Sequence, residues 1–431
     1  MPGLAELLRT NRNYRYTWTG QVVSEIGDYF NSIAVFDLAL AVTHSGIVVA
    51  GIFLARAIPA MFAGPVAGVL LDRMDRKRIM IASDLARAVI AAAFILTVRW
   101  PYPWLLYVLS GLLMFASPFF TSGRSSILPA IASREELHTV NSVTQTTQWC
   151  TLVIGAVTAG YSAKLFGHQW AFVINSFSFL FSAWAISRLR APKGTFRAER
   201  AALTEAQVAR PWHEYVEGLR YMRHAPLILG IAVINVGWAS GGGAAQVLFS
   251  LFGERVFNRG AAGIGEIWGC AGIGLVIGGV VGHWFGKRAG FPAYKRAIAV
   301  AYLIHGGAYV LFSQARPYWL ALVFIALSRA AVAVSSVLNM SQLLRHVPDE
   351  YRGRVFATLE SLTWSVMLVS LSAAGIASTH YSPRLIGLWS GILSSTTALA
   401  WGLLNWTGRL PEPAPEGVDP NEVEVHGEPR A

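Results

Sequence analysis

Apolar runs of about 18 residues or more recur along almost the whole chain, and a run of that length crosses a hydrocarbon core as one α-helix. The backbone finds no water to bond inside a bilayer, so repeated runs of this kind read as spanning helices. Breaks at charged or turn-rich stretches give six spans near 16–42, 46–71, 79–98, 102–123, 139–164 and 168–188. Six more lie near 226–252, 262–286, 292–314, 317–341, 353–379 and 384–407. The sequence therefore predicts an all-α membrane protein with twelve transmembrane helices in two pseudo-symmetric six-helix bundles. Only 14% of the 431 residues are charged and mean hydropathy is +0.45. Soluble domains are roughly a quarter charged, so this composition cannot supply a water-soluble shell.

The expected organisation is an N-terminal bundle over 1–188, a cytoplasmic linker over 189–224, a C-terminal bundle over 225–410 and an acidic tail over 411–431. The linker ends in WHEYVEGLRYMRH, an amphipathic and mostly basic stretch suited to a helix on a membrane surface. The tail is Pro-rich and lacks apolar periodicity, so it is expected to be disordered. An even number of spans puts both termini on one side. Of the 35 Lys and Arg residues, 26 fall on that side, six on the other, and Arg56, Arg87 and Arg329 within spans. The positive-inside rule then makes both termini cytoplasmic, in a cytoplasmic (inner) membrane. WPYPW at 100–104, Trp170, Tyr318, Trp319 and Tyr381 fall at the opposite interface, where amphipathic rings prefer to sit.

The formal charge of +11 is thus a matter of topology, and no basic helix interleaved with aromatics points to a nucleic-acid partner. Cys150 and Cys270 stand alone within spans, so neither a disulfide framework nor a metal site is expected. No phosphate-cradling GxxxxGK[ST] occurs, since GHWFGKR at 282–288 lacks its spacing and final hydroxyl. No constellation of nucleophile and base or of His and carboxylate marks a membrane enzyme. The expectation is no catalytic residue, no cofactor and no bound metal. The N-terminus lacks a short apolar core followed by a small-residue cleavage site, so no signal peptide is expected.

One connection stands out. Between spans 2 and 3 the chain reads GVLLDRMDRKR, from Gly68 to Arg78, a short turn dense in both signs of charge. Gly68 would let helices approach closely, Asp72 could cap a neighbouring helix or accept from arginine, and the cations could pair across the turn. Any positive-inside loop is basic, but Gly, then Asp-Arg, then Arg-Lys at fixed spacing is more specific than net charge.

Gly68, Asp72, Arg73, Arg76 and Lys77 resemble the loop signature between spans 2 and 3 of the major facilitator superfamily, with Asp75 in place of its usual glycine. SGRSSILPAIASREELHTVNS, WAFVINSFSFLFSAW and VPDEYRGRVFATLESLTW are similar to the branch that contains the enterobactin exporter and macrolide efflux proteins. Span 5 departs from the family's antiporter motif, with Ala156 in GAVTAG where proline is usual. Gly278, Lys287 and Arg288 echo Gly68, Lys77 and Arg78 at a spacing of 210 residues, as two related halves would. The resemblance implies that Asp72 meets the start of span 11 near Arg352, Gly353 and Arg354 and latches the halves on the cytoplasmic side.

A charge at the bilayer centre costs about 2.5–3.5 kcal/mol on the insertion scale, so each one needs a partner, a wet cavity or a function. Gln21, Glu25, Asp28 and Ser32 follow spacings that put them on one face of span 1. Arg56 of span 2 reaches a depth similar to Asp28, and Arg329 of span 10 a depth similar to Glu360 of span 11. Each pair could form, equally as a structural ion pair or as part of proton coupling. Asp84 and Arg87 are spaced for a local salt bridge that serves stability. Gln148, Asn235, Trp238, Gln246, Asn339 and Trp364 could line a substrate path, or bond helix to helix.

Without an ATP site, an ion gradient is the expected energy source: one proton crossing 100 mV releases about 2.3 kcal/mol. The resemblance implies export of a small organic compound, drug-like or siderophore, and the expected function is proton-driven export by a monomer working through alternating access. Uptake, movement of a lysophospholipid between leaflets, and a non-transporting sensor are the alternatives. The expected partners are the substrate, protons and the bilayer.

Overall fold

The computed structural model describes residues 4–190, 192, 195–196 and 211–412. The expected disordered tail from 413 onward and most of the first part of the linker lie outside these residues. The first half holds α1 (Leu4–Thr10), α2 (Arg12–Thr43), α3 (Gly46–Arg73), α4 (Arg76–Ala93), α5 (Ile95–Arg99), α6 (Pro103–Ile131), α7 (Arg134–Phe166) and α8 (His168–Ser187). The amphipathic stretch forms α9 (Pro211–His224). The second half holds α10 (Pro226–Leu251), α11 (Gly260–Gly286), α12 (Phe291–Gln314), α13 (Tyr318–His346), α14 (Asp349–Ala377) and α15 (Pro383–Trp406). A π-helical turn, Phe252–Val256, extends α10.

The boundaries follow local chemistry. Asn11 caps α2 by accepting from the Tyr14 N–H, and Asp75 caps α4 by accepting from the Arg78 N–H. Ser133 and Glu136 form a reciprocal capping box at the start of α7, which satisfies two N–H groups that a helix start leaves open. Gly167 separates α7 from α8 with φ +88°, a conformation that a side chain would strain.

Among the described residues, eleven stretches are long and apolar enough to cross a membrane. The twelfth expected span, α15, has 24 residues, ample length for a crossing. Ser390, Ser394, Ser395, Thr396 and Thr397 dilute its apolarity. Each of Ser390, Ser395, Thr396 and Thr397 donates its hydroxyl proton to a carbonyl of the preceding turn. Large apolar side chains such as Phe62, Val89, Phe177, Val280, Val369 and Leu399 are exposed on the helices, as lipid contact requires. The expected interfacial rings Trp100, Tyr102, Trp104, Trp170, Trp319 and Tyr381 are exposed as well.

The chain divides into two compact units. One comprises 1–204, 246–273 and 374–383, and the other 205–245, 274–373 and 384–431. In the first, α2 packs on α7 and α8, α3 on α6, and α4 on α6 and α8. The start of α11 also belongs to this unit and meets α7 backbone to backbone. A Cβ on Gly160 would come to 2.6 Å from the Ala261 carbonyl oxygen, and one on Gly265 would collide with the Ala156 carbonyl. Small residues make this approach possible, and close van der Waals contact holds helices together where lipid is as apolar as leucine. Tyr161 and Arg259 both donate to the Glu266 carboxylate beside that seam. In the second unit, Gly274, Gly278 and Gly282 let α11 lie against Ala326, Ala330 and Val334 of α13.

Candidate functional site

The polar stripe expected on span 1 is real, and it organises a network inside the first unit. Gln21 Nε2 donates to Glu25 Oε1 at 2.7 Å, one helical turn away, and Thr151 of α7 donates to Glu25 Oε2 at 2.9 Å. Arg124 of α6 brings Nη1 to 3.9 Å from Glu25 Oε1. Three helices therefore converge on one carboxylate. Thr151 and Arg124 escaped the sequence reading: the polar run SGRSS ended span 4 at 123, whereas α6 continues to Ile131 and buries Arg124.

Further along α2, Ser32 donates to the Asp28 carbonyl at 2.8 Å and accepts from Arg56 Nη2 at 2.9 Å. The expected direct ion pair between Asp28 and Arg56 is not formed. Matching depth does not fix rotation about the helix axis, and Arg56 turns to the hydroxyl of Ser32 while Asp28 Oδ1 is buried without a hydrogen-bond partner. The two charges still sense each other through the interior, as do Asp28 and Arg87.

Asp84 and Arg87 of α4 form the expected salt bridge, and it is fully buried. The Arg87 guanidinium lies 4.7 Å from the ring centroid of Phe120 and 4.3 Å from that of Phe179. The first unit thus holds three carboxylates, Glu25, Asp28 and Asp84, and three guanidiniums, Arg56, Arg87 and Arg124, inside its spanning helices, with Asp84, Arg87 and Arg124 buried and the others half-buried.

Tyr29, Ser32, Phe36, Phe53, Arg56 and Trp268 line a cavity of about 160 Å³. Phe36 and Phe53 stack with centroids 4.7 Å apart, and Arg56 sits over Phe36 at 5.9 Å. Asp37, near the far end of α2, is buried with Oδ2 2.7 Å from His168 Nε2.

In the second half, Arg329 is buried within electrostatic reach of Tyr309 and His305, whereas Glu360 is exposed. The ion pairs of the described residues do not include the expected one between these two. Their depths match but their helix faces do not. Asn339 accepts from the Tyr294 hydroxyl at 2.9 Å, which makes it a bond between α12 and α13 rather than an open cavity wall. Trp238 packs on the core of the second unit with its indole N–H unpaired, Asn235 and Gln246 are half-buried, and Gln148 and Trp364 are exposed.

At the loop between α3 and α4, Arg76 donates to the Ser126 carbonyl at 2.9 Å, and Lys77 donates to the Ser187 and Leu189 carbonyls at 2.8 and 2.9 Å. These cations tie the loop to the last turns of α6 and to the end of α8, where carbonyls lack intrahelical partners. Asp72 and Arg73 are exposed. The close approach expected at Gly68 is absent among the described residues: a Cβ there would meet nothing within 4 Å. In the second unit, Arg352 pairs with Asp349 and Arg354 with Glu217.

Long apolar helices with apolar side chains exposed on their outer faces and charges held between them define a multi-pass membrane protein. The sequence profile of the Major Facilitator Superfamily matches residues 17–369, and the chain belongs to that family. It is a membrane transporter of small molecules, not an enzyme. It is similar to macrolide efflux protein A of Streptococcus pyogenes, 24% identical over 91% of this chain and 96% of that one. It is also similar to the enterobactin exporter EntS of Shigella boydii, 26% identical over 92% and 91%. Its fold matches that of a bacterial homologue of the iron transporter ferroportin in an inward-facing state, at TM-score 0.66 and 18% identity, over 90% of this chain and 98% of that one.

Proposed function

We propose that this transporter exports a small organic compound, drug-like or siderophore-like, in exchange for protons. It works as a monomer by alternating access in the cytoplasmic membrane, with both termini in the cytoplasm. The observation that carries the reading is Glu25, a carboxylate inside a spanning helix held by Gln21, Thr151 and Arg124. Three helices share it, so gain or loss of its proton changes what α2, α6 and α7 can hold together. Such a group biases two packings of the same helices, which is what coupling requires. Asp28, buried with an unpartnered oxygen, is the second carrier. The direction of transport rests on the likeness to exporters. The positive-inside count supports the orientation. The two halves, 1–188 and 225–410, move as the alternating bodies. The loop 68–78, through Asp72, latches the start of α14 when the cytoplasmic side is closed.

Inside-out membrane vesicles with an imposed proton gradient test this, with cargo first sought by comparing metabolites of deletion and overexpressing cells. Gradient-driven uptake into such vesicles should appear with the wild type and vanish in Glu25→Gln at equal protein level. Full activity of that variant would refute the coupling role. Uptake that ignores the gradient would refute proton exchange.

A further inference from the structure

The cavity beside α2 has a chemistry that none of the roles above uses. Its one charged lining side chain is a cation, Arg56. That guanidinium carries five N–H donors, and among the described residues its hydrogen-bond acceptor is the Ser32 hydroxyl. Asp28 lies beyond ion-pair distance, so most of the fork is available to a bound acceptor. A second donor belongs to the same wall: the indole N–H of Trp268 is buried without a partner. The buried indole donor calls for an explanation, since buried polar groups are ordinarily satisfied, and the guanidinium beside it has donors to spare. The remaining walls are mostly aromatic, Phe36 and Phe53 stacked at 4.7 Å together with Tyr29, and Ile33 completes them. A volume of about 160 Å³ suits a single ring, because an apolar cavity near 150 Å³ holds benzene.

We infer that this cavity is the recognition subsite for an aromatic ring bearing a carboxylate, with Arg56 gripping the anion and the rings of Phe36, Phe53 and Tyr29 enclosing the body. The inference rests on the transport reading for its biological meaning and names the substrate class. Planar bidentate contact is what arginine offers a carboxylate and lysine does not. A cationic ligand would meet Arg56 as a like charge. A neutral one would leave the guanidinium poorly paired.

Binding can be measured apart from transport, on the purified full-length protein in detergent, by calorimetric titration with benzoate, benzyl alcohol and benzylamine. These probes share a ring and differ in charge. Benzoate should bind about tenfold or more tightly than benzyl alcohol, the worth of a charge-assisted hydrogen bond, and benzylamine should bind weakest. Arg56→Gln should abolish the preference for benzoate over benzyl alcohol, and Trp268→Phe should weaken benzoate several-fold while leaving benzyl alcohol less affected. Equal or tighter binding of benzylamine, no binding of benzoate, or an unchanged preference in Arg56→Gln would overturn the inference. The wild-type ranking decides the matter even if Arg56→Gln does not fold. The two readings fail separately. Benzoate selectivity without gradient-driven transport would sink only the exporter. Gradient-driven export by a protein that prefers benzylamine would sink only the subsite.

Discussion

Arg87→Met isolates the value of the buried charge pair in α4. Methionine keeps most of the length of arginine and packs well between aromatic rings, so Phe120 and Phe179 retain a neighbour while Asp84 loses its cation. Breaking one partner of a buried pair costs about 3–5 kcal/mol in soluble proteins. The two aromatic contacts at 4.7 and 4.3 Å add a loss that the thioether partly restores. In a bilayer the unfolded chain also finds partners, which reduces measured differences. The expected loss is about 2–4 kcal/mol. Titration with SDS in mixed micelles, followed by helical circular dichroism, measures it. The double variant Asp84→Leu/Arg87→Met removes both charges and should return to within about 1 kcal/mol of wild type. A single variant that loses less than about 1 kcal/mol, or a double variant as weak as the single, would refute the view that this pair is held by mutual compensation.

Gly265→Ala should lower the unfolding midpoint and weaken the α7–α11 seam by about 1–3 kcal/mol, because the new methyl collides with the Ala156 carbonyl and has no side chain to displace; an unchanged midpoint would mean the seam opens freely. Asp37→Asn and His168→Ala should each destabilise, and the double variant should cost less than their sum, since one contact joins them; strict additivity would remove that contact from the energetics. Arg76→Ala should cost about 1 kcal/mol through its lost bond to the Ser126 carbonyl and raise hydrogen exchange at the end of α6; protection there should be unaffected by Arg73→Ala, whose side chain is exposed.

Hydropathy carries the spans because the bilayer imposes one rule on every residue of a crossing helix, and no partner needs to be known. The stripe Gln21, Glu25, Asp28 and Ser32 was legible for a related reason: residues three and four apart share a face whatever surrounds them. What surrounds them was not. Arg124 hid behind a polar run that looked like a loop, and Thr151 and Trp268 carry no mark in the sequence of facing α2. Depth along a helix can be counted, but rotation depends on the whole packing. That is why Asp28 and Arg56 miss each other by way of Ser32, and why Arg329 is buried while Glu360 is exposed. The loop cations were visible as charge, yet their attachment to the ends of α6 and α8 comes from tertiary folding.

The hydroxyls of α15 bear on how the chain is made. A helix so rich in serine and threonine looks too polar to leave the translocation channel sideways into lipid. Each of Ser390, Ser395, Thr396 and Thr397, however, gives its proton to a carbonyl of its own helix. The acceptor is present as soon as the turn has formed, so no neighbouring helix is needed to shelter these groups. A segment built this way can therefore enter the bilayer on its own account and find its place among the other helices afterwards.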